Sequence, residues 1–263
     1  MTYETLRLER ADGVATITLD RPERKNAINE PMWDELRAVF DEVGRRPTDR
    51  VLVITGAGGD FCSGADLSAM GSDGPAAERR HHLAAMRRIG DVALALHRLP
   101  QPTVAKVRGV AVGAGLNLAL LCDLVVASDG ARFSEIFARR GLTIDFGGSW
   151  VLPRRVGLHR AKELALFADI IDAAEAERIG LVNRVVPDGE LDAFVADWTA
   201  RLAAGPPIAL AQTKQLLDVG AESSLQQALD AEGAAQTVNF ATADTAEAVR
   251  AFVEKRQPSF HGG

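Results

Sequence analysis

The sequence has little cysteine: Cys62 and Cys122 are its only two among 263 residues. They stand far apart, with neither a CxxC pair nor a zinc-ligand spacing, which points to a reduced, cytoplasmic setting. No run approaches the ~20 apolar residues that a membrane-crossing helix needs. Met1-Thr2-Tyr3-Glu4-Thr5 shows no basic stretch followed by an apolar one, so no signal peptide is expected. An excess of basic charge is also missing. Thirty Lys and Arg face 36 Asp and Glu, for a net charge of -6 and a pI near 5.5, so neither nucleic acid nor an anionic membrane is an expected partner.

Several catalytic signatures are absent too. No Walker lysine follows a glycine-rich loop, and no HExxH occurs. His81-His82 sit side by side on a polar helix face and read as solvated rather than metal-bound. The nucleophile-elbow pattern G-x-S-x-G fails around Ser63, where positions 61 and 65 are Phe61 and Ala65. Gly113-Ala114-Gly115 lies between a strand and a helix, but Leu118 stands where a dinucleotide fingerprint needs glycine or alanine. A lone G-x-G reads first as a tight turn. No internal repeat or low-complexity tract is seen.

What is present suits a soluble globule with a sizeable core: 47% hydrophobic and 25% charged residues. Val14 to Leu19 alternates and is β-branched, and Leu6 to Glu9 pairs with it through an Asp12-Gly13 turn. Asn29-Glu30-Pro31 opens a helix with Met32, Leu36, Val39, Phe40 and Val43 on one face. Short apolar strands follow at Val51 to Thr55, Thr103 to Val107 and Asp123 to Ala127. A loop over 71–75 and a helix from about Ala76 to Leu99 separate the first two, and a helix over Leu116 to Leu121 precedes the third. This alternation predicts a parallel sheet with helical crossovers. From Leu158 onward the pattern is helical apart from a strand at Leu181 to Val186, with breaks at Gly180, Pro187, Gly205-Pro206-Pro207 and Gly220. The expected organisation is an α/β core over residues 1–200 carrying a helical region over 201–263.

Two turns carry the chemistry. Ala114 begins a helix, where unsatisfied N–H groups and the helix dipole favour a developing negative charge. A second donor from the Gly64-Ala65 loop would complete a two-point hole for a carbonyl oxygen, which spacing alone does not establish. The small residues let a thioester approach the backbone closely.

With these segments in view, the chain resembles the crotonase, or enoyl-CoA hydratase/isomerase, superfamily over nearly its whole length. The carrying segments are Leu19-Asp-Arg-Pro-Glu-Arg-Lys-Asn-Ala-Ile-Asn29, Phe61-Cys-Ser-Gly-Ala-Asp-Leu67 and Lys106-Val-Arg-Gly-Val-Ala-Val-Gly-Ala-Gly115. Cys122-Asp-Leu124, Gly141-Leu-Thr-Ile-Asp-Phe-Gly-Gly-Ser-Trp150 and Ala176 to Val186 continue the match. The resemblance implies a crotonase-like spiral of ββα repeats, with C-terminal helices that assemble a homotrimer or a dimer of trimers. It implies oxyanion-hole N–H groups from Ala65 and Ala114, beside Gly64 and Gly113. It also implies a CoA path along Lys25, Ala27, Asp66 and Leu67, with Lys255 and Phe260 helping to close it. The substrate is an acyl-CoA, and coenzyme A enters as part of it, with no further cofactor and no metal.

The resemblance departs where hydration chemistry resides. Hydratases of the superfamily place glutamates where this chain has Asn117 and Phe137. Asn does not take up a proton at neutral pH and Phe has no polar atom. Glu135 substitutes only if the local register shifts. Asp145 is the remaining well-placed carboxylate. From its pattern alone it is equally a helix N-cap ahead of Gly147 to Val156. The resemblance favours catalysis, because subfamilies with aspartate here look like ring-epoxide phenylacetyl-CoA isomerases, and the tail Phe252-Val-Glu-Lys-Arg-Gln-Pro-Ser-Phe260 is similar to theirs. Chlorobenzoyl-CoA dehalogenases carry a matching aspartate but pair it with a tryptophan where Phe137 stands. The expected enzyme is thus a double-bond or ring isomerase with Asp145 as acid and base in a pocket lined by Phe137, Phe146 and Trp150. Asn117 either orients the substrate or packs as a polar core residue. The alternatives are an enoyl-CoA hydratase using Asp145 or Glu135, and a non-catalytic acyl-CoA binder. Arg79-Arg80 and Arg87-Arg88 read as a solvated helix face or a contact for CoA phosphates.

Overall fold

The computed structural model describes residues 3–69 and 82–263. The expected loop over 71–75, the start of the helix expected from Ala76, and Arg79, Arg80 and His81 lie outside the described residues. Strands β1 (Leu6–Ala11) and β2 (Val14–Leu19) form the expected hairpin. Asp12 and Gly13 take φ of 50° and 80°, as a primed two-residue turn demands. Asn29 caps α1 (Glu30–Arg45), its side chain accepting from the Met32 N–H at 3.1 Å, and Pro31 stands in the first turn where its missing N–H costs nothing. The apolar stripe of α1 is buried throughout.

The chain then alternates through β3 (Val51–Gly56), α2 (His82–His97), β4 (Thr103–Val107), β5 (Val110–Val112), α3 (Ala114–Leu120), β6 (Leu124–Ser128) and β7 (Arg132–Ser134). Next come α4 (Gly148–Val156), α5 (Leu158–Phe167), β8 (Ile171–Asp172), α6 (Ala173–Arg178) and β9 (Arg184–Val186). The remainder is helical: α7 (Leu191–Ala203), α8 (Pro207–Gly220), α9 (Leu225–Phe240) and α10 (Ala243–Glu254).

Among the described residues, six strands build the main sheet in the order β1-β2-β3-β4-β6-β9, parallel except for β1. Both faces are covered. Leu52 and Ile54 enter the large core with α1, whereas Val51, Val53, Val104 and Val126 pack under Leu191 and Val195 of α7. That two-sided burial explains the unbroken apolar run of β3.

A second sheet, β5-β7-β8, stands beside the first. Its strands of two or three residues are too short to show periodicity, and the sequence pattern does not reveal them. The strand expected over Leu181 to Val186 shortens to β9, because Leu181 and Val182 turn into the core after Gly180. Arg88, expected on a solvated face or at CoA phosphates, pairs instead with Asp34 at 3.0 Å and with Glu30, tying α2 to α1. Among the described residues, no helix is long and apolar enough to cross a membrane.

Candidate active site

The site forms where two loops are stitched together. The Cys62 N–H donates to Val110 O and the Val112 N–H returns to Cys62 O, each at 2.9 Å, so the 61–66 loop runs alongside β5. On its other side, the Ile28 N–H donates to Gly64 O at 2.8 Å and the Asp66 N–H to Ile28 O at 2.9 Å. This bridge turns the Ala65 N–H away from Ile28. Gly113 is anchored to β7 by its N–H on Ser134 O at 2.8 Å. Gly64 shows how close the two turns lie. A methyl there would stand 2.8 Å from Val112 O and 3.6 Å from the Ala114 nitrogen, and the residue has a φ of +93°. Among the described residues, neither the Ala65 nor the Ala114 N–H has a protein acceptor. Two backbone donors therefore stand near each other, one of them in the first turn of α3.

One turn along α3 from the Ala114 donor, Asn117 gathers a polar cluster from three elements. Asn117, fully buried on α3, donates from Nδ2 to the Asp145 carbonyl at 3.0 Å and meets Glu135 Oε2 at 3.5 Å. Glu135 follows β7 and is 1% exposed. Asn117 Oδ1, Glu135 Oε1 and Asp145 Oδ1 are buried without hydrogen-bond partners, three of five such side-chain atoms among the described residues. Polar atoms left so are uncommon in a native interior, and each calls for an explanation. Burial pushes the Asp145 carboxyl up to about 6. Burial above all, with a smaller contribution from the Asp145 charge and despite the Asn117 contact, pushes Glu135 up to about 8.

The elevated Glu135 value has a measurable cost. Because the folded value lies above the ordinary 4.5, its contribution to stability is complete below that pH and is lost as pH climbs through about 8. Glu135→Gln removes this loss. Urea unfolding near pH 5, 7 and 9 is expected to show the variant gaining on the wild type, by on the order of 3 kcal/mol at the alkaline end. A difference that does not change with pH would contradict the assignment.

Asp145 is not a helix cap. Gly147 occupies the N-cap of α4 without a side-chain bond, and Asp145 contributes only its carbonyl, accepting from Gly148 N at 2.9 Å. Phe146, with a φ of 48°, swings its ring onto Trp33 at a centroid distance of 5.1 Å. The left-handed backbone costs about 1–2 kcal/mol for a non-glycine residue. Gly148 lies over Asn117 so closely that a methyl would meet its amide at 2.4 Å.

Phe137 is buried against the turn, its ring 3.6 Å from where a Gly113 methyl would lie. Trp150 does not join it. Its indole donates to Glu222 at 3.0 Å, carries Arg154 over its ring at 4.0 Å and meets His97 edge-on. Two residues along a helix rotate the side chain by about 200°, so Trp150 faces away when Gly148 faces Asn117.

Asp66 is committed to the loop itself. It accepts from the Ser68 N–H and hydroxyl at 3.1 and 2.6 Å and from Arg21 at 3.0 Å. These bonds, the Ser68 ones foremost, hold its carboxyl down at about 2. Arg21 also clamps the Ala27 carbonyl at 2.6 Å. Lys25 and Leu67 are exposed at the rim, with Lys25 Nζ 3.7 Å from Asp60. Lys255 ends α10, and Phe260 lies in the tail that Asp244 holds through the His261 and Gly262 N–H groups at 2.8 and 3.0 Å. Asn26, which the sequence reading passed over, organises the rim. Fully buried at a φ of 55°, it donates to Ala57 O and Asp60 O at 2.8 and 2.7 Å and accepts from Arg21 N at 3.0 Å.

The profile of the enoyl-CoA hydratase/isomerase family matches residues 9–263. The chain belongs to the enoyl-CoA hydratase/isomerase family. Within it, the chain is 42% identical to "Probable enoyl-CoA hydratase" of Rhodobacter capsulatus, each covered in full. It is 38% identical to the 1,2-epoxyphenylacetyl-CoA isomerase of Escherichia coli K12, over 95% of each chain. The crystal structure of an enoyl-CoA hydratase from Mycobacterium smegmatis superposes with a TM-score of 0.91 at 34% identity, covering 98% of this chain and 99% of that one. The crotonase-like α/β fold expected from the motifs is therefore the fold of this chain.

Proposed function

We propose that the protein isomerises acyl-CoA thioesters, moving a double bond or rearranging a ring, with Asp145 as the acid and base. The observation that carries this reading is the Asp145 carboxyl, half-buried with Oδ1 unpartnered and tied through Asn117 to the helix whose first turn presents the Ala114 N–H. The thioester oxygen sits between the Ala65 and Ala114 N–H groups. Asp145 takes a proton from the α carbon of a 3-enoyl thioester. The electron pair passes into the carbonyl, and the oxyanion so formed is held by the two donors, worth about 3–4 kcal/mol each. The same carboxyl returns the proton at the γ carbon, which leaves the double bond at the 2 position. Asn117 fixes the backbone of Asp145 and does not itself exchange protons.

The CoA moiety passes Lys25, Ala27, Gly64, Asp66 and Leu67, with Phe137 and Gly113 against the acyl end and Lys255 and Phe260 helping to close the path against a neighbouring subunit. Neither a metal nor a cofactor beyond the substrate's own CoA takes part. The region over 201–263 assembles the trimer, singly or as a dimer of trimers. That reading is supported by α8 and α9, which bury no residue in one chain while exposing Leu217, Leu225, Leu229, Val238 and Phe240.

A hydratase is the second reading, favoured by Glu135 beside Asn117 and by the hydratase name of the 42% identical relative. Turnover of 3-enoyl- and 2-enoyl-CoA in deuterated water separates the readings. An isomerase interconverts the two and carries label into the α or γ carbon. Accumulation of 3-hydroxyacyl-CoA would establish the hydratase, and binding without turnover of either substrate would mark a binder.

A further inference from the structure

Glu135 stands out among the groups that the mechanism above does not use. It is 1% exposed and, among the described residues, has no cationic partner. Its neighbours in the cluster are the neutral Asn117 amide and one titratable group, Asp145. When two carboxylates share a poorly hydrated site without a cation, one keeps its proton at neutral pH, because each charge raises the cost of the other. The proton stays on the more buried member. Asp145 is the more open of the two, and its backbone carbonyl is already held by Asn117 and Gly148.

We propose that Glu135 is a positioning residue that works in its neutral, protonated form, keeping the site's single negative charge on Asp145 and steadying the Asn117 amide that holds the Asp145 backbone. The geometry is specific. Asn117 Nδ2 donates to the Asp145 carbonyl at 3.0 Å and reaches Glu135 Oε2 at 3.5 Å, so the oxygen turned away from the amide, Oε1, is the one that carries the proton. If Glu135 ionised, a second charge would enter beside Asp145 and hold the Asp145 proton more tightly. A base that must release and retake a proton would then be mistuned. The site thus has an upper pH limit set by Glu135 and a lower one set by Asp145.

The kinetic half of this proposal rests on the isomerase reading, while the charge state of Glu135 is tested without substrate. Carbon-13 NMR of the full protein labelled at the Glu side-chain carboxyl is expected to show one resonance titrating on the alkaline side of neutrality, retained in Asp145→Asn and absent from Glu135→Gln. If every glutamate titrates in the ordinary acid range, the proposal is overturned. In kinetics, the bell-shaped pH profile of kcat/KM for an enoyl-CoA is expected to lose its alkaline limb in Glu135→Gln and keep its acid limb. Turnover near pH 7 falls less than about tenfold for Gln, because the amide copies the neutral acid, and more than that for Glu135→Ala. An alkaline limb that persists in Glu135→Gln overturns the positioning role. An alkaline NMR titration with no turnover of either enoyl-CoA would sink the isomerase reading and leave the neutral Glu135 standing.

Discussion

Asp145→Asn is expected to lower enoyl-CoA turnover by about a thousandfold while changing acyl-CoA affinity only a few-fold. The substitution keeps the side-chain volume and leaves the backbone carbonyl that accepts from Asn117 and Gly148 untouched. The fold and the donor pair therefore survive, and what is lost is the group that moves the proton, typically worth 10²–10⁴ in rate. The wild-type rate should fall as pH drops through about 6, where burial has lifted this carboxyl and where protonation removes the base. Turnover numbers across pH, together with calorimetric binding of a saturated acyl-CoA, test both halves. A variant that retains a tenth of the wild-type turnover would show that Asp145 is not the base.

The second large effect concerns the joint between the two turns. A methyl on Gly115 would lie 2.4 Å from Cys62 O and 2.8 Å from both Cys62 Cβ and Sγ. Backbone and a fully buried side chain do not yield to it. Gly115→Ala therefore pushes α3 away from the 61–66 loop and draws the Ala65 and Ala114 amides apart. Overpacking of this kind costs about 1–3 kcal/mol or more, and a misplaced oxyanion donor costs about 10²–10³ in kcat. Thermal unfolding and kcat for an enoyl-CoA should fall together. Gly90→Ala is the control: its methyl meets nothing within 4 Å on α2, so it should stabilise by roughly 0.5–1 kcal/mol. If Gly115→Ala behaved like that control, the close approach of the two turns would be refuted.

Much of this architecture was legible because its causes are local. The Asp12-Gly13 hairpin, the Asn29 cap with its apolar stripe and the two-sided apolar run of Val51 to Thr55 each declare themselves within a dozen residues, in backbone preference and spacing. Gly64, Gly113 and Gly115 marked the place where two backbones approach. They also carried the family resemblance. Short β5, β7 and β8 escaped because two or three residues have no period, and they exist through pairing with distant partners.

The chemistry beside the turns was decided by tertiary structure. Spacing set Glu135 two residues out of step with the position that matters in hydratases, and nothing local shows where its carboxyl goes. Phe133, Ser134 and Glu135 are all buried as the chain leaves β7 for a 3-10 turn, so strict alternation ends there and both Glu135 and Phe137 turn inward. Likewise Trp150 and Arg88 had residue types suited to a pocket and to a phosphate, yet α4 and α2 direct them to Glu222 and to Asp34. The sequence by itself determined which segments become strands, helices and close turns, since those depend on neighbours along the chain. Which carboxylates come together was decided only when α3, the end of β7 and the loop before α4 met, because desolvation and charge coupling depend on distance in space.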